Sequence, residues 1–157
     1  LSITPEYLRA REERVTVNLM DQGLALGRRF RALKLWFVLR YFGAEGARDR
    51  IREHVRLARS FASWVDAEPG WERVAPVPFS TVAFRCGRGA PAAAQDDINR
   101  AVMERVNASG EAFLSHTRLR GKICLRLSIG NLRTEERHLA RTWELLREAA
   151  AGAASSS

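Results

Sequence analysis

Leu26-Gly-Arg-Arg-Phe-Arg-Ala-Leu-Lys-Leu-Trp-Phe-Val-Leu-Arg40 decides how this chain is read. It opens on a glycine and a basic cluster, Arg28, Arg29, Arg31 and Lys34, and is apolar almost all round from Leu35 to Phe42. A helix apolar on every side belongs in the interior of something larger. Positive charge in a helix's first turn opposes the macrodipole. A helix over 27–42 is therefore misplaced on an isolated domain and at home inside a larger assembly. Gly43 is a natural residue to close it.

Downstream, Ala47, Ile51, Val55, Ala58, Phe61, Ala62 and Val65 recur at helical spacing and predict a second helix over 45–67, ended by Pro69-Gly70. The pattern then changes. Segments 71–77 and 80–86 read as strands separated by Pro76 and Pro78, with Val82, Phe84 and Cys86 on one face. Segment 87–94 is a loop. Asp96 and Asp97 are expected to start a helix that carries Ile98, Ala101, Val102 and Val106, with its acids at the favourable end, and Gly110 closes it. Segments 112–117 and 122–129 read as a strand pair joined through 118–121. In the second, Ile123, Leu125, Leu127 and Ile129 face one way, and Cys124, Arg126 and Ser128 the other. Thr134 caps a last helix with Glu135 and Glu136 in its first turn and a stripe of Leu139, Trp143, Leu146 and Ala150.

From Trp71 the order is β-β-α-β-β-α. The fold class is α+β: a buried linking helix and a long helix, then a small domain whose antiparallel sheet carries helices on one face. Four segments follow: a mobile leader at 1–25, linking helices at 26–68, the small α+β domain at 69–150, and a disordered Ala/Gly/Ser tail at 151–157.

The 157 residues suffice for one real core, and 46% of them are apolar, as in a globular protein. No apolar run is long enough to cross a bilayer, and no signal-peptide pattern is present. The chain begins at Leu1 rather than Met, so it is expected to be a fragment. The net charge is +8, and only Lys34 and Lys122 of the 26 basic residues are lysines. A basic balance suggests nucleic acid, but the arginines alternate with acids, as in Arg48-Asp-Arg-Ile-Arg-Glu53, which reads as a solvated helix face. Cys86 and Cys124 lack metal or disulfide spacing and read as reduced core thiols of a cytoplasmic protein. His54, His116 and His138 are scattered, and His54 reads as a packed histidine. There is no glycine-rich phosphate loop and no metal or nucleophile–base spacing. On its residues alone the chain is a non-catalytic domain. It could stand alone as an interaction domain that docks through its apolar helix, or bind nucleic acid with two helices joined through residues 43–46.

Leu26–Arg40, followed by Tyr41-Phe-Gly-Ala-Glu-Gly46 and Ile51-Arg-Glu-His-Val55, closely resembles the C-terminal part of group II pyridoxal-phosphate-dependent decarboxylases, with the aromatic-L-amino-acid branch nearest. Ile129-Gly-Asn-Leu-Arg-Thr134 and Trp143-Glu-Leu-Leu146 look like that family's last strand and helix. Ile3-Thr-Pro-Glu-Tyr-Leu8 resembles its mobile catalytic loop. The resemblance implies the C-terminal domain of a type I pyridoxal-phosphate enzyme. It implies a carboxy-lyase that converts aromatic L-amino acids to amines as a cytoplasmic homodimer, with no nucleic-acid or membrane partner. The cofactor, pyridoxal 5′-phosphate, is then bound mainly by a large upstream domain, through a lysine in a His-x-x-Lys-type segment. Neither Lys34 nor Lys122 matches that lysine, so the chain alone is expected to be inactive.

The same resemblance assigns residues. Tyr7 matches a loop tyrosine that protonates the substrate carbon after carbon dioxide leaves, under a closed loop that excludes water. Phenylalanine there accompanies aldehyde formation. Without the resemblance, Tyr7 would simply anchor a surface loop. Gly27 matches a position beside the substrate's ring, where glycine leaves room for a large side chain. Arg126 matches a basic position that ties the small domain to the large one. Arg28 and Arg29 are expected to meet acids of the large domain. Relatives often carry Asp-Trp-Gly before this helix; here Asp21-Gln-Gly23 places Gln22 at the tryptophan position.

Overall fold

The computed structural model describes residues 30–154. They fall into two compact units divided between Asp49 and Arg50.

The first unit holds the start of α1 (Arg31–Ala67), a helical run broken at Gly43 by φ 66° and ψ 176°. Only glycine takes that backbone conformation freely, so the expected helix end is a break within a longer run. Every residue from Phe30 to Tyr41 is exposed. Trp36 and Phe37 each keep 56% of their surface and Tyr41 keeps 83%. The linking helix read as buried is thus exposed among the described residues, where neighbouring rings pack on one another: Trp36 meets Phe37 edge-on at 5.1 Å, and Tyr41 meets Phe42 at 4.7 Å.

The second unit opens on the rest of α1, where apolar residues keep to one side. Leu57, Ala58, Phe61 and Val65 are fully buried. Burial starts later than the stripe predicts, since Ile51 is exposed and Val55 only half-buried. After α1 come β1 (Trp71–Arg73), β2 (Thr81–Cys86), α2 (Ala92–Ala108), β3 (Ser115–Leu119), β4 (Lys122–Ser128) and α3 (Glu136–Ala154). The β-β-α-β-β-α order is as expected. The four strands form one antiparallel sheet in the order β1-β2-β4-β3.

The register aligns Val82 with Leu127 and Phe84 with Leu125, so the apolar residues of β2 and β4 share one face. Phe61 packs there against Phe84 at 5.4 Å and Trp143 at 5.5 Å, and Trp71 lies 5.0 Å from Trp143. These ring contacts join α1, the sheet and α3 into one core.

The elements differ from expectation mainly at their ends. β1 stops at Arg73, four residues early. The Val74 amide still reaches the Ala83 carbonyl at 3.0 Å, but Pro76 and Pro78 have no N–H to extend the ladder. α2 begins at Ala92 behind Pro91, whose φ of −52° suits a helix entry, so Asp96 and Asp97 lie inside the helix rather than at its start. β3 begins at Ser115 instead of 112 because Asn107 occupies the Leu114 backbone. Its Oδ1 accepts from the Leu114 amide at 2.7 Å, and its Nδ2 donates to the Leu114 carbonyl at 3.0 Å. The β3–β4 connection shrinks to Arg120-Gly121, both at positive φ (51° and 76°), the two-residue hairpin turn whose twist suits paired strands. α3 starts at Glu136, not directly after Thr134, and its entry is closed by His138, whose Nδ1 accepts from the Glu135 amide at 3.0 Å. The tail read as disordered from 151 is helical to Ala154, with Ala153 buried.

Candidate functional site

The catalytic tyrosine assigned by resemblance, Tyr7, lies outside the described residues, as do Gly27, Arg28, Arg29 and Gln22. Arg126 is described. It sits mid-β4, opposite Ala83 on one side and Ser115 on the other, and its Nε donates to Ser115 Oγ at 3.1 Å. Alternation sets it, half-buried, on the sheet face away from Leu125 and Leu127.

On that face and at its edge stands a charged pair that sequence reading missed. Arg85 is 1% exposed and donates from Nη2 to Asp96 Oδ1 at 2.7 Å. The same carboxylate oxygen accepts the Ile123 amide at 3.0 Å. Asp96 is therefore no helix-start acid. It reaches from α2 into the gap where β2 and β4 diverge and satisfies a strand amide there. A fully buried amide works beside it. Asn99 Oδ1 accepts from the Cys86 amide at 3.0 Å, while Nδ2 donates to the Cys86 carbonyl at 3.0 Å and the Gln95 carbonyl at 2.7 Å. Asn99 thus behaves like one more strand residue at the end of β2. One signal was available: Gln95, Asn99, Val102 and Val106 recur at helical spacing, so the two amides fall on the buried face.

The cysteines are core thiols, as expected. Both are buried, and burial pushes the Cys86 thiol up to about 12 and raises that of Cys124. His54 packs rather than ligates: its Nε2 donates to the Asn131 carbonyl at 3.2 Å. Among the described residues no group of His, Cys, Asp and Glu could hold a metal ion, and no helix is long and apolar enough to cross a membrane. Many arginines face acids, as in Arg141 with Glu111 at 2.8 Å and Arg56 with Glu53 at 2.8 Å and Glu136 at 3.1 Å. Much of the positive charge is thereby answered at the surface.

The described residues also fail to form a pyridoxal-phosphate site. Lys34 projects from the exposed start of α1, and Lys122 lies exposed at the start of β4, in an open groove without an aromatic ring. Neither lysine is enclosed as a cofactor-bearing amine needs to be.

Residues 1–87, more than half of the chain, match the family model described as the pyridoxal-dependent decarboxylase conserved domain. The chain belongs to this family. Among curated relatives of this decarboxylase family, it is 41% identical to a phenylacetaldehyde synthase and 40% identical to tyrosine decarboxylase 2, both of Arabidopsis thaliana. Those alignments cover 96% and 94% of this chain but 31% and 28% of the relatives, so the chain spans under a third of their length. The solved structure of Catharanthus roseus tryptophan decarboxylase in complex with L-tryptophan superposes with a TM-score of 0.72 at 33% identity, over 87% of this chain and 29% of that one. Oryza sativa TDC with PLP and tryptamine gives 0.74 at 35%, over 85% and 29%. Mouse CSAD, at 19% identity and 0.72, shares the fold. The family and the α+β architecture expected from the sequence are both met.

Proposed function

We propose that this chain is the C-terminal part of a pyridoxal-phosphate-dependent carboxy-lyase that decarboxylates aromatic L-amino acids to amines, and that it is inactive alone. One observation carries the reading. The relatives align along nearly all of this chain, yet the helix that leads into its small domain is exposed on every side. A surface of that kind requires a cover, and the cover is the large cofactor-bearing domain that precedes this region in the family.

In this reading the upstream domain supplies the lysine and phosphate site, and the cofactor, when bound, stabilises the negative charge left as carbon dioxide departs. The present residues act around it. Tyr7 donates its phenolic proton to the carbon that has lost its carboxylate. Gly27 leaves space beside the substrate's ring. Arg28 and Arg29 meet acids of the large domain, and Arg126 ties the small domain to it by charge-assisted hydrogen bonds. The assembly is a cytoplasmic homodimer. Identity does not separate amine from aldehyde production, since a synthase and a decarboxylase match equally well, at 41% and 40%. Tyr7 supports amine formation, because a hydroxyl at that place can protonate carbon.

The test is Tyr7→Phe in the chain joined to its upstream coding sequence. Amine output from aromatic amino acids is expected to fall about 100-fold or more, the scale of a lost general acid, with aldehyde appearing in its place. Unchanged amine output with no aldehyde would overturn the role of Tyr7.

A further inference from the structure

β2 buries a guanidinium where a strand usually buries an apolar side chain. Arg85 is 1% exposed, and of its guanidinium nitrogens only Nη2 has a partner among the described residues, Asp96. Nε and Nη1 are buried with no hydrogen-bond partner among the described residues. Buried donors are nearly always paired, and a guanidinium has no neutral form to adopt in a protein. Asp96 has little left to offer, since its Oδ1 already serves both Arg85 and the Ile123 amide, and its Oδ2 lies 3.9 Å from Arg118.

Arg85 also lines a groove of about 420 Å³ together with Glu72, residues 74–76, Arg120, Lys122 and Cys124. Residues 74–76 belong to the irregular connection after β1, whose prolines cannot extend the ladder. Arg120 and Lys122 give the rim positive charge, and only Glu72 opposes them among the lining residues just named. Buried unsatisfied donors, a positive rim and an adjoining groove together describe a receptor for an oxyanion.

We propose that this groove is a carboxylate-binding site centred on Arg85. A carboxylate offers planar paired acceptors that match the guanidinium fork, and it brings negative charge to a rim that Arg120 and Lys122 make positive. Its source is either a side-chain carboxylate from sequence upstream of Leu1 or a free small carboxylate. The site uses neither the tyrosine nor the glycine assigned to decarboxylation and does not depend on that assignment.

The experiment follows the Arg85 Nε–H resonance of the isotopically labelled 157-residue chain, and of the chain joined to its upstream coding sequence, as acetate replaces chloride at constant ionic strength. A saturable shift in the 157-residue chain is expected. If it vanishes in the longer protein, the carboxylate comes from the polypeptide; if it persists there, the ligand is free. Absence of a saturable shift in the 157-residue chain overturns the proposal, as does a response elsewhere in the groove that survives Arg85→Lys unchanged. Should Arg85→Lys fail to fold, Arg120→Ser with Lys122→Ser on the exposed rim decides. Acetate affinity is expected to weaken about threefold or more as two nearby charges are lost, and an unchanged affinity counts against the site.

Discussion

The two stretches of α1 on either side of Gly43 carry similar apolar content and meet opposite fates. Residues 31–41 are exposed throughout, with Leu35 at 60% and Trp36 at 56%. Residues 57–65 bury Leu57, Ala58, Phe61 and Val65 completely. Composition does not separate them; distribution around the helix does. A one-sided stripe finds its complement within the same chain, against Phe84 and Trp143. An all-round apolar surface meets no such complement among the described residues.

The largest effect should separate the two stretches directly. Phe61→Ala removes the ring shared by three aromatic contacts and is expected to lower the unfolding free energy by about 3–5 kcal/mol in urea titrations. Trp36→Ser should change it by no more than about 0.5 kcal/mol in the same chain, while improving solubility. Equal costs for the two substitutions would erase the distinction.

A smaller effect lies at the junction. An added Cβ at Gly43 meets nothing within 4 Å, so Gly43→Ala tests backbone strain alone. It should cost about 1–2 kcal/mol, seen as lower thermal stability, because φ of 66° is unfavourable for any L side chain. Stabilisation instead would mean that the break is dispensable and that the helices on its two sides can run on as one.

The last effect comes from the core thiol and appears at alkaline pH. Burial raises the Cys86 thiol in the folded chain from an ordinary 9.0 to about 12. The unfolded chain therefore loses this proton first. The contribution to stability is complete below pH 9 and declines as pH rises from about 9 toward 12. Denaturation midpoints across that window should fall less steeply for Cys86→Ala than for the parent chain. Native-state alkylation of Cys86 should be slow at neutral pH and become fast on unfolding; rapid labelling of the folded chain would contradict its burial.

Much of this architecture was legible in order and type. Helical spacing placed Phe61 and Val65, and alternation placed Val82, Phe84, Leu125 and Leu127 on one face. Prolines account for the end of β1 and the start of α2, and several other misreadings share a second cause, which is that polar side chains took over backbone hydrogen bonding. Asn107 holds Leu114 and delays β3, and Asn99 completes the end of β2. Asp96 leaves its expected place at the helix start to join Arg85 and the Ile123 amide. Such partners are far apart in sequence, and no periodicity encodes them. Arg85 was invisible for the same reason, since an arginine inside a strand pattern reads as an outward position until its burial is seen. The proposed decarboxylation residues were reached by resemblance alone, because the chemistry needs a cofactor amine that no spacing in this chain supplies.

The central claim is that the exposed helix and the missing chemistry share one cause, the large domain that precedes Leu1 in the family. Release of carbon dioxide from carboxyl-labelled tyrosine, tryptophan and phenylalanine tests it most directly, with pyridoxal phosphate added to the 157-residue chain and to the same chain joined to its upstream coding sequence. The expected result is release from at least one substrate by the joined protein and none above background by the chain alone. Equal release by both, or none by the joined protein, would contradict the account.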